Sequence, residues 1–370
     1  MKTNPKYLIS GGGTGGHIFP AVSIANALRE MQPECEILFV GALGRMEMER
    51  VPAAGYKIVG LPMHGFDRKN LWKNVTTLFD LWKSMRQVKR IIREFRPDVA
   101  IGVGGYASGA AMKVAAKMGI PVLLQEQNGF AGMTNKLLRN DATKICVAYE
   151  GMEKFFPAEK IILTGNPVRQ NLVNGTKTEA YKEFGFSPKK KTLLIIGGSL
   201  GARTINQSVI AHLKELTDSN IQILWQAGKG YIKSARKAAE PFANPNLIVT
   251  DFVSRMDLAY AMADLVISRA GASSISELCL LSKPTILVPS PNVAEDHQTH
   301  NAMALVNKNA AVLVKDINAE NELIPKALKL IKDDEKLTDL SHNIKQLAQH
   351  DSAKRIAEEV IKLTKKQGNK

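Results

Sequence analysis

Two glycine-rich turns in this chain have the composition of anion-binding loops. Residues 11–17 (GGGTGGH) directly follow the apolar run 7–9, and residues 197–203 (GGSLGAR) directly follow the apolar run 193–196. Each turn leads into a stretch with helical periodicity. A glycine-rich turn between a strand and a helix presents backbone N–H groups and a helix N-terminus to an anion. Because the arrangement occurs in both halves, the sequence predicts two nucleotide-binding-type α/β domains with a cleft between them.

The first turn also has the Gly-x-Gly-x-x-Gly spacing of a dinucleotide-binding fingerprint. A dehydrogenase of that kind needs an acid at the end of the second strand to hold a ribose. The corresponding segment, residues 39–44 (FVGALG), has no acid, so a dehydrogenase is disfavoured. The turn ends in His17, which could act on a ligand as a base or a hydrogen-bond donor. Alternatively, His17 could bond only its own turn at the helix start.

Three further loops follow predicted strands and are expected at the sheet edge where open α/β folds bind ligands. They are residues 104–109 (GGYASG), 125–129 (QEQNG) and 268–277 (SRAGASSISE). The last combines small residues, serine hydroxyls and a helix start, which favours phosphate. Glu277, one turn into that helix, could accept both hydroxyls of a ribose, or could serve only as a capping acid.

Two more segments have groups suited to a sugar diphosphate. Arg169, at the end of residues 165–169 (GNPVR), could clamp a diphosphate with its guanidinium. Residues 296–301 (DHQTHN) supply amides and imidazoles, but the two histidines lack a third ligand nearby, so no metal site is predicted. The chain has no Asp-x-Asp motif. Helix dipoles and arginine, rather than a carboxylate-held Mg²⁺, are therefore expected to neutralise a phosphate leaving group.

Strand-like and helix-like runs alternate along the whole chain, which predicts parallel, doubly wound sheets. The predicted domains are residues 1–164 and 192–345. The segment 165–191, with its Asn-Pro, Asn-Gly and Ser-Pro steps, is predicted to be a linker. Residues 346–370 contain a helix with one apolar face, which could pack back on the first domain.

Length and composition narrow the class of protein. The 370 residues suit two domains, and the three widely spaced cysteines argue for a reducing compartment without a disulfide framework. The first residues lack the pattern of a secretory signal. No apolar run reaches the ~18 residues of a membrane span.

The net charge of +15 predicts an acidic partner such as nucleic acid, anionic lipid or a phosphorylated substrate. Residues 67–96 contain nine lysines and arginines and three acids, interleaved with apolar residues that include two of the three tryptophans. Such a basic amphipathic stretch is typical of a membrane-surface element. It is equally typical of an ordinary helix that packs its apolar stripe on a sheet.

Six segments occur together, and in this order, in the MurG family of bacterial glycosyltransferases. They are GGTGGHIFP at 12–20, GGYASG at 104–109, EQN at 126–128, GNPVR at 165–169, GGSLGAR at 197–203 and SRAGASSISE at 268–277. The chain resembles that family, whose members move N-acetylglucosamine from UDP-GlcNAc onto lipid I to give lipid II. The resemblance implies the α/β GT-B fold, in which two Rossmann-like doubly wound domains face a cleft and bind acceptor and donor respectively.

The resemblance further implies which residues bind the donor, UDP-GlcNAc. They are Thr14, Gly15, Gly16, Asn128, Arg169, Ser199, Val253, Ala272, Ser273, Ser274, Ile275, Ser276, Glu277 and Gln298. Arg169 and Ser199 would meet its phosphate region, and the backbone of Val253 would hold uracil. Glu277 would bind the ribose, and Gln298 would reach the sugar.

The acceptor side follows from the same resemblance. The acceptor diphosphate would lie on Gly12, Gly13, Gly104, Gly105 and Tyr106. In an inverting transfer the acceptor hydroxyl loses a proton as it attacks, and His17, with Glu126 as second candidate, would take it. The resemblance implies neither a cofactor nor a metal.

A lipid-linked acceptor also implies contact with a membrane. The predicted contacts to the anionic cytoplasmic surface are Leu71, Trp72, Phe79 and Trp82. The protein is therefore expected at the cytoplasmic face of the inner membrane as a peripheral enzyme, without a nucleic-acid partner.

Two departures and two alternatives remain. Members of the family often have histidine where this chain has Gln125, so a histidine there is not essential, and residues 64–69 are less typical. A UDP-GlcNAc epimerase would share fold and donor but has little use for the basic amphipathic stretch. A nucleic-acid-binding module would explain the charge, yet aromatic platforms and a groove-lining basic run are absent from the sequence.

Overall fold

The structure, a computed structural model, describes residues 4–63, 73–168, 170–198, 200–242 and 244–367. The chain divides into two compact units. The first comprises Met1–Val168 with His350–Lys370, and the second comprises Arg169–Gln349. Each unit is built around its own parallel sheet.

The first unit contains a seven-stranded sheet. Its strands are β1 (Lys6–Ser10), β2 (Glu36–Ala42), β3 (Lys57–Leu61), β4 (Val99–Gly102), β5 (Val122–Glu126), β6 (Lys144–Val147) and β7 (Ile161–Leu163). Its helices up to Val168 are α1 (Gly15–Met31), α2 (Glu47–Ala53), α3 (Lys73–Phe95), α4 (Tyr106–Lys117) and α5 (Met133–Leu138). The strand order is β3-β2-β1-β4-β5-β6-β7. The order reverses between β1 and β4, and such a switch point is where open α/β sheets bind ligands.

Helices cover both faces of this sheet, so its central strands are mostly apolar. Every residue of β4 and β5 is buried. Successive side chains of a strand point to opposite faces, so Leu8 packs in the core with α4, whereas Tyr7 and Ile9 pack in the core with α1. This two-sided burial explains why these strands are continuous apolar runs rather than alternating ones.

The second unit has a six-stranded sheet with the same winding. Its strands are β8 (Thr192–Ile196), β9 (Gln222–Gln226), β10 (Leu247–Thr250), β11 (Leu265–Ser268), β12 (Thr285–Leu287) and β13 (Val312–Leu313). Its helices are α6 (Lys177–Phe184), α7 (Arg203–Ala211), α8 (Leu213–Asp218), α9 (Ile232–Ala239), α10 (Met256–Met262), α11 (Ala272–Leu280), α12 (His297–Val306), α13 (Ala319–Leu330) and α14 (Asp334–Lys345). The order β10-β9-β8-β11-β12-β13 reverses between β8 and β11.

The segment 165–191, which the sequence predicts to be a linker, contains regular structure of the second unit. It holds a 3-10 segment (Gln170–Asn174) and α6, both of which pack against α10. The Oγ1 atom of Thr176 caps α6 by accepting a hydrogen bond from the N–H of Glu179 at 3.3 Å, and Gly185 ends the helix in a left-handed conformation. The breaker residues therefore bound a short helix rather than form an extended connection.

The last helix, α15 (Ser352–Gln367), is part of the first unit and packs against α1. Ile356, Val360 and Leu363 are buried in the core that contains Tyr7 of β1. Near the start of the helix, the Arg355 guanidinium donates to the carbonyl oxygen of Leu163, at the end of β7, at 2.6 Å. The C-terminal segment thus completes the core on one face of the first sheet.

Candidate active site

The loops after β1 and β4 touch each other at the switch point of the first sheet. The N–H of Gly12 donates to the carbonyl of Gly104 at 3.3 Å. Gly105 has a φ of +90°, and a Cβ atom there would lie 2.6 Å from the carbonyl oxygen of Gly12. Only glycine fits this conformation and spacing. The two loops therefore pack backbone against backbone, with Gly13 exposed and Gly105 half-buried beside them.

Glu47 supports the β1–α1 loop from behind, a role that the motif analysis missed. Its side chain is buried, and its two carboxylate oxygens accept hydrogen bonds from the N–H groups of Gly13 at 2.9 Å and Ala42 at 3.0 Å. The hydrogen bond between Glu47 and Gly13 joins residues 34 positions apart, so no local sequence pattern predicts it. Glu47 holds the loop against the end of β2.

Replacing Gly12 with alanine is expected to lower the free energy of unfolding by about 1–3 kcal/mol, because the new methyl group overpacks a filled site. The added Cβ would lie 2.2 Å from an oxygen of the Glu47 carboxylate. Gly16→Ala is the matched control, since its Cβ would meet only Thr14 Oγ1 at 3.6 Å. Urea unfolding measures the free energy of unfolding of both variants and of the unchanged chain. Equal midpoints for Gly12→Ala and the unchanged chain would contradict the contact with Glu47.

The His17 side chain points away from its own turn and bonds a different loop. Its Nδ1 lies 3.0 Å from Oε1 of Gln127. The ring also lies against Gly104, where a Cβ would come within 2.9 Å of the imidazole Cε1. The interpretation of His17 as a residue that bonds only its own helix start is therefore wrong.

Glu126 is buried at the end of β5 and accepts four hydrogen bonds within its own loop. One oxygen accepts from the N–H and the side-chain amide of Asn128, at 3.1 and 3.3 Å. The other accepts from the N–H of Gly132 at 3.0 Å and the side-chain amide of Asn135 at 2.9 Å. The carboxylate thereby shapes the segment from Asn128 to Asn135.

The other predicted residues of the first unit border the same sheet edge. Thr14 precedes α1 in an extended conformation, and Gly15 and Gly16 form the first turn of that helix. Tyr106 begins α4, directly after the β4 loop, and 55% of its surface is exposed. The structure thus gathers the glycine loops, His17, Tyr106 and Glu126 at the carboxyl ends of β1, β4 and β5.

In the second unit, Gln226 links two of the loops at the carboxyl edge of the sheet. Its amide nitrogen donates to the carbonyl of Gly198 at 3.2 Å, and its oxygen accepts from the N–H of Val253 at 2.9 Å. One side chain therefore sets the spacing between the β8 loop and the loop that contains Val253. The predicted residues Arg169 and Ser199 lie outside the described residues.

The start of α11 presents backbone N–H groups and hydroxyls. Gly271 precedes the helix and has no side chain to cap it. Ser273 and Ser274 are half-buried in the first turn, whereas Ser276 donates its hydroxyl back to the carbonyl of Ala272 at 3.0 Å. The Ile275 side chain is buried, so its contribution to a ligand site comes from the backbone.

Glu277 is buried on the same helix, and its Oε2 accepts a hydrogen bond from the Tyr260 hydroxyl at 3.2 Å. A capping-box acid occupies the third residue of a helix. Since α11 begins at Ala272, that position is Ser274, and Glu277 lies three residues further on. The capping interpretation is therefore wrong. The carboxylate is instead held in place by α10.

Gln298 and Arg269 organise the loops around α11. The Gln298 oxygen accepts from the N–H groups of Ala270 at 3.2 Å and Ser290 at 2.9 Å, which leaves its NH₂ group to donate. Arg269 donates to the carbonyl of Val288 at 3.0 Å and forms an ion pair with Asp316. Its guanidinium is thus engaged with protein groups that follow β12 and β13, a positioning role that the sequence analysis did not find.

The basic helix α3 packs one of its halves into the unit and exposes aromatic side chains nearer its start. Its C-terminal half packs on the sheet through the buried Val88 and Ile92. Nearer its start, Phe79 and Trp82 are 64% and 53% exposed, with ring centroids 5.9 Å apart. The Arg86 guanidinium lies over the Trp82 ring at 4.6 Å. Leu71 and Trp72 lie outside the described residues.

No helix in the described part of the chain has both the length and the apolar character needed to span a membrane. The three cysteines are free and buried. Burial raises the pKa of the Cys146 and Cys279 thiols to about 12, so neither is a thiolate nucleophile at neutral pH.

Two parallel sheets with reversed strand order, each with a glycine-rich loop beside its switch point, define a two-domain Rossmann-like protein. Comparison with known protein families finds a matching domain in each half of the chain. Residues 7–147 match the glycosyltransferase family 28 N-terminal domain, and residues 192–359 match the glycosyltransferase family 28 C-terminal domain. The chain belongs to glycosyltransferase family 28.

Individual relatives place the chain more closely. It is 62% identical to a Bacteroides fragilis protein over 97% of this chain and 95% of that one. The relative is named UDP-N-acetylglucosamine--N-acetylmuramyl-(pentapeptide) pyrophosphoryl-undecaprenol N-acetylglucosamine transferase. The crystal structure of Acinetobacter baumannii MurG is 28% identical, with a TM-score of 0.80 over 97% of this chain and 99% of that chain. The GT-B fold, the enzyme class and the family resemblance predicted from the motifs are confirmed.

A solved UDP-N-acetylglucosamine 2-epimerase is also similar, with a TM-score of 0.68 at 15% identity over 100% of this chain and 98% of that chain. At that identity the likeness shows the fold alone. The epimerase alternative therefore shares the architecture of this chain but gains no support for its activity.

Proposed function

We infer that this chain transfers N-acetylglucosamine from UDP-GlcNAc to the 4-hydroxyl of the N-acetylmuramic acid of lipid I, forming lipid II and UDP in peptidoglycan synthesis. The observation that carries this inference is the near-full-length identity with the B. fragilis protein, whose name states donor and acceptor. Each unit also offers its own anion-binding loop, as a reaction between a nucleotide sugar and a lipid-linked diphosphate requires.

His17 is the proposed general base. As the acceptor oxygen attacks C1 of the α-linked sugar, the bond from C1 to the UDP oxygen breaks, and the hydroxyl proton passes to a base. His17 ends the glycine loop and lies against Gly104. Glu126 accepts four hydrogen bonds from N–H donors, so both of its oxygens are engaged in holding the loop from Asn128 to Asn135. We therefore assign Glu126 a positioning role.

The acceptor diphosphate is proposed to lie at the paired glycine loops of the first unit. These loops contain Gly12, Gly13, Gly104 and Gly105, of which Gly13 is exposed and Gly105 half-buried, and Tyr106 borders them. Thr14, Gly15, Gly16 and Asn128 are proposed to contact the donor. Phosphate oxygens can approach closely here because these loops have few side chains.

The second unit is proposed to bind UDP. The N–H groups at the start of α11, with the hydroxyls of Ser273 and Ser274, would stabilise the diphosphate and the charge that develops on it. Val253 already donates its N–H to Gln226, so its carbonyl is the group assigned to uracil. The NH₂ group of Gln298 is assigned to a sugar hydroxyl. Arg169 and Ser199 remain predicted phosphate contacts.

One incubation tests the function against the epimerase alternative. The full chain is mixed with radiolabelled UDP-GlcNAc, with and without a lipid I analogue, and products are separated by chromatography. We expect label in the lipid fraction only when the acceptor is present. An altered nucleotide sugar without acceptor, or no conversion under either condition, would contradict the proposed transfer.

A peripheral position at the cytoplasmic membrane surface is proposed for the chain, because its acceptor is lipid-linked. Phe79 and Trp82 are exposed beside Arg86, and the helix that contains them is strongly basic. Exposed aromatic side chains next to cations are suited to the interface of an anionic leaflet. The proposed partner of the basic helix α3 is therefore anionic lipid rather than nucleic acid.

Replacing Phe79 and Trp82 together with serine is expected to weaken binding to vesicles of anionic phospholipid by about tenfold or more, because two apolar contacts are lost. Both side chains are exposed, so the melting temperature should stay unchanged. Ile317→Ser, which alters an 89% exposed residue of the second unit, is the control. Sedimentation with vesicles measures the bound fraction of the unchanged chain, the double variant and the control. Equal sedimentation of the double variant and the control would rule out this surface.

A further inference from the structure

A chain of buried amides lies beneath His17. Gln127 places Oε1 3.0 Å from Nδ1 of His17, and its Nε2 donates to the backbone carbonyls of Val103 at 2.8 Å and Gln125 at 3.1 Å. Gln127 and Gln125 are both buried. The imidazole is thus linked to the backbone of two strand ends through one amide.

The backbone carbonyls determine which way the Gln127 amide faces. A carbonyl oxygen can only accept, so the amide atom that faces Val103 and Gln125 must be the NH₂ group. The amide oxygen then faces His17, and since an amide oxygen cannot donate, the shared hydrogen belongs to Nδ1. A reversed amide would place its oxygen against two carbonyl oxygens.

Gln125 and Asn166 hold the amide in this orientation. The Gln125 side chain donates to Oδ1 of Asn166 at 3.0 Å, and its oxygen bonds the NH₂ group of Gln127. The Asn166 side chain donates to the backbone carbonyl of Gln127 at 2.9 Å. Each of the three side-chain amides therefore donates a hydrogen bond to another residue of the set.

We propose that Gln127, held by Gln125 and Asn166, is a positioning residue that keeps the hydrogen of neutral His17 on Nδ1 and makes Nε2 the basic nitrogen. In a neutral imidazole the bond made by one nitrogen decides which nitrogen can accept a proton. This inference rests on the proposed role of His17 as base.

The partner of Nδ1 is a neutral amide, whereas the acids nearby are turned elsewhere. Titratable side chains of the described residues that border these loops include Glu47, Tyr106 and Glu126. The two carboxylates bond backbone N–H groups of their own surroundings, and Tyr106 is exposed. An amide partner orients the ring without the stabilisation of the imidazolium that a carboxylate would add.

Nitrogen NMR tests the tautomer without any assay of activity. The full chain is prepared with ring-¹⁵N histidine, and His17→Asn identifies the resonances of His17. We expect, above the pH at which the ring protonates, a protonated Nδ1 and an unprotonated Nε2. In Gln127→Met the population should shift toward hydrogen on Nε2. A spectrum of the unchanged chain with hydrogen on Nε2 would overturn the proposal.

Two substitutions separate orientation from simple structural support. Gln127→Met is expected to lower kcat by about tenfold or more at every pH, with the KM for UDP-GlcNAc unchanged. The reason is that the tautomer with hydrogen on Nε2 has no lone pair on that nitrogen to accept the proton of the acceptor hydroxyl. Gln127→Glu places a carboxylate beside the ring and stabilises its protonated form. The acid limb of kcat/KM should then move to higher pH by about one unit or more.

Gln222→Met is the matched control. It also replaces a buried glutamine, but one that bonds Ser187 and Thr192 in the second unit. We expect its kcat and pH profile to match those of the unchanged chain. If the unchanged chain transfers sugar to the lipid I analogue but both Gln127 variants keep its kcat and its acid limb, the role of Gln127 is overturned and the proposed function stands. If the unchanged chain transfers no sugar, the proposed function itself fails.

Discussion

His17→Ala is expected to lower kcat by about 10²- to 10⁴-fold, the usual contribution of a positioned general base. Affinity for UDP should change little, because the contacts assigned to its uracil, ribose and diphosphate belong to the second unit and His17 to the first. His17 is half-buried, and its Nδ1 bonds the side chain of Gln127, which is also held by the carbonyl of Val103. Its removal should therefore leave the fold intact.

The measurement combines steady-state kinetics on a lipid I analogue with calorimetric titration of UDP. His342→Ala is the matched control, since this histidine of α14 bonds its helix neighbour Gln346 and has no assigned part in binding or catalysis. The control should keep both kcat and UDP affinity. Turnover of His17→Ala equal to that of the unchanged chain would remove His17 from the mechanism.

Much of the fold follows from local patterns in the sequence. The apolar runs at 7–9, 122–124 and 193–196 lie within β1, β5 and β8, because strands covered on both faces are mostly apolar. The glycine turns are equally local, since strand, turn and helix follow one another directly. Their position at a switch point follows once the strand order is known.

The side chains that hold the loops in place were harder to predict. Glu47 bonds Gly13 across 34 positions, and Gln125 bonds Asn166 across 41. Each contact depends on which loops become neighbours in the folded sheet, and periodicity contains no such information. Buried polar groups nevertheless need partners, so the polar run Gln125–Glu126–Gln127 after an apolar strand was a signal that such partners exist.

The helix within the predicted linker was accessible from sequence. Thr176 and Glu179 have the Thr-x-x-Glu spacing of a capping box, and the Thr176 oxygen accepts the Glu179 N–H in the structure. The Asn-Gly and Ser-Pro steps are breaker signals, and they led to the prediction of a linker. Those steps correctly bracket α6 but say nothing about the residues between them.

Glu277→Gln is expected to raise the KM for UDP-GlcNAc and the Kd for UDP by about 10- to 100-fold. A carboxylate that accepts two ribose hydroxyls makes charge-assisted hydrogen bonds worth about 1.5–3 kcal/mol, which corresponds to that range of affinity. Because Gln is nearly the same size and Tyr260 still holds the position, kcat at saturating donor should change far less. Glu320→Gln, an exposed acid on α13, is the control for the loss of one negative charge.

A ribose analogue shows whether this loss arises at the ribose. The unchanged chain should bind 2′-deoxy-UDP more weakly than UDP, because Glu277 then loses one of its two hydroxyl donors. In Glu277→Gln the difference between the two nucleotides should shrink, since the coupling between carboxylate and hydroxyl has been removed. If calorimetry finds the same difference in both proteins, Glu277 does not bind the ribose, and its bond to Tyr260 serves the packing of α10 against α11 instead.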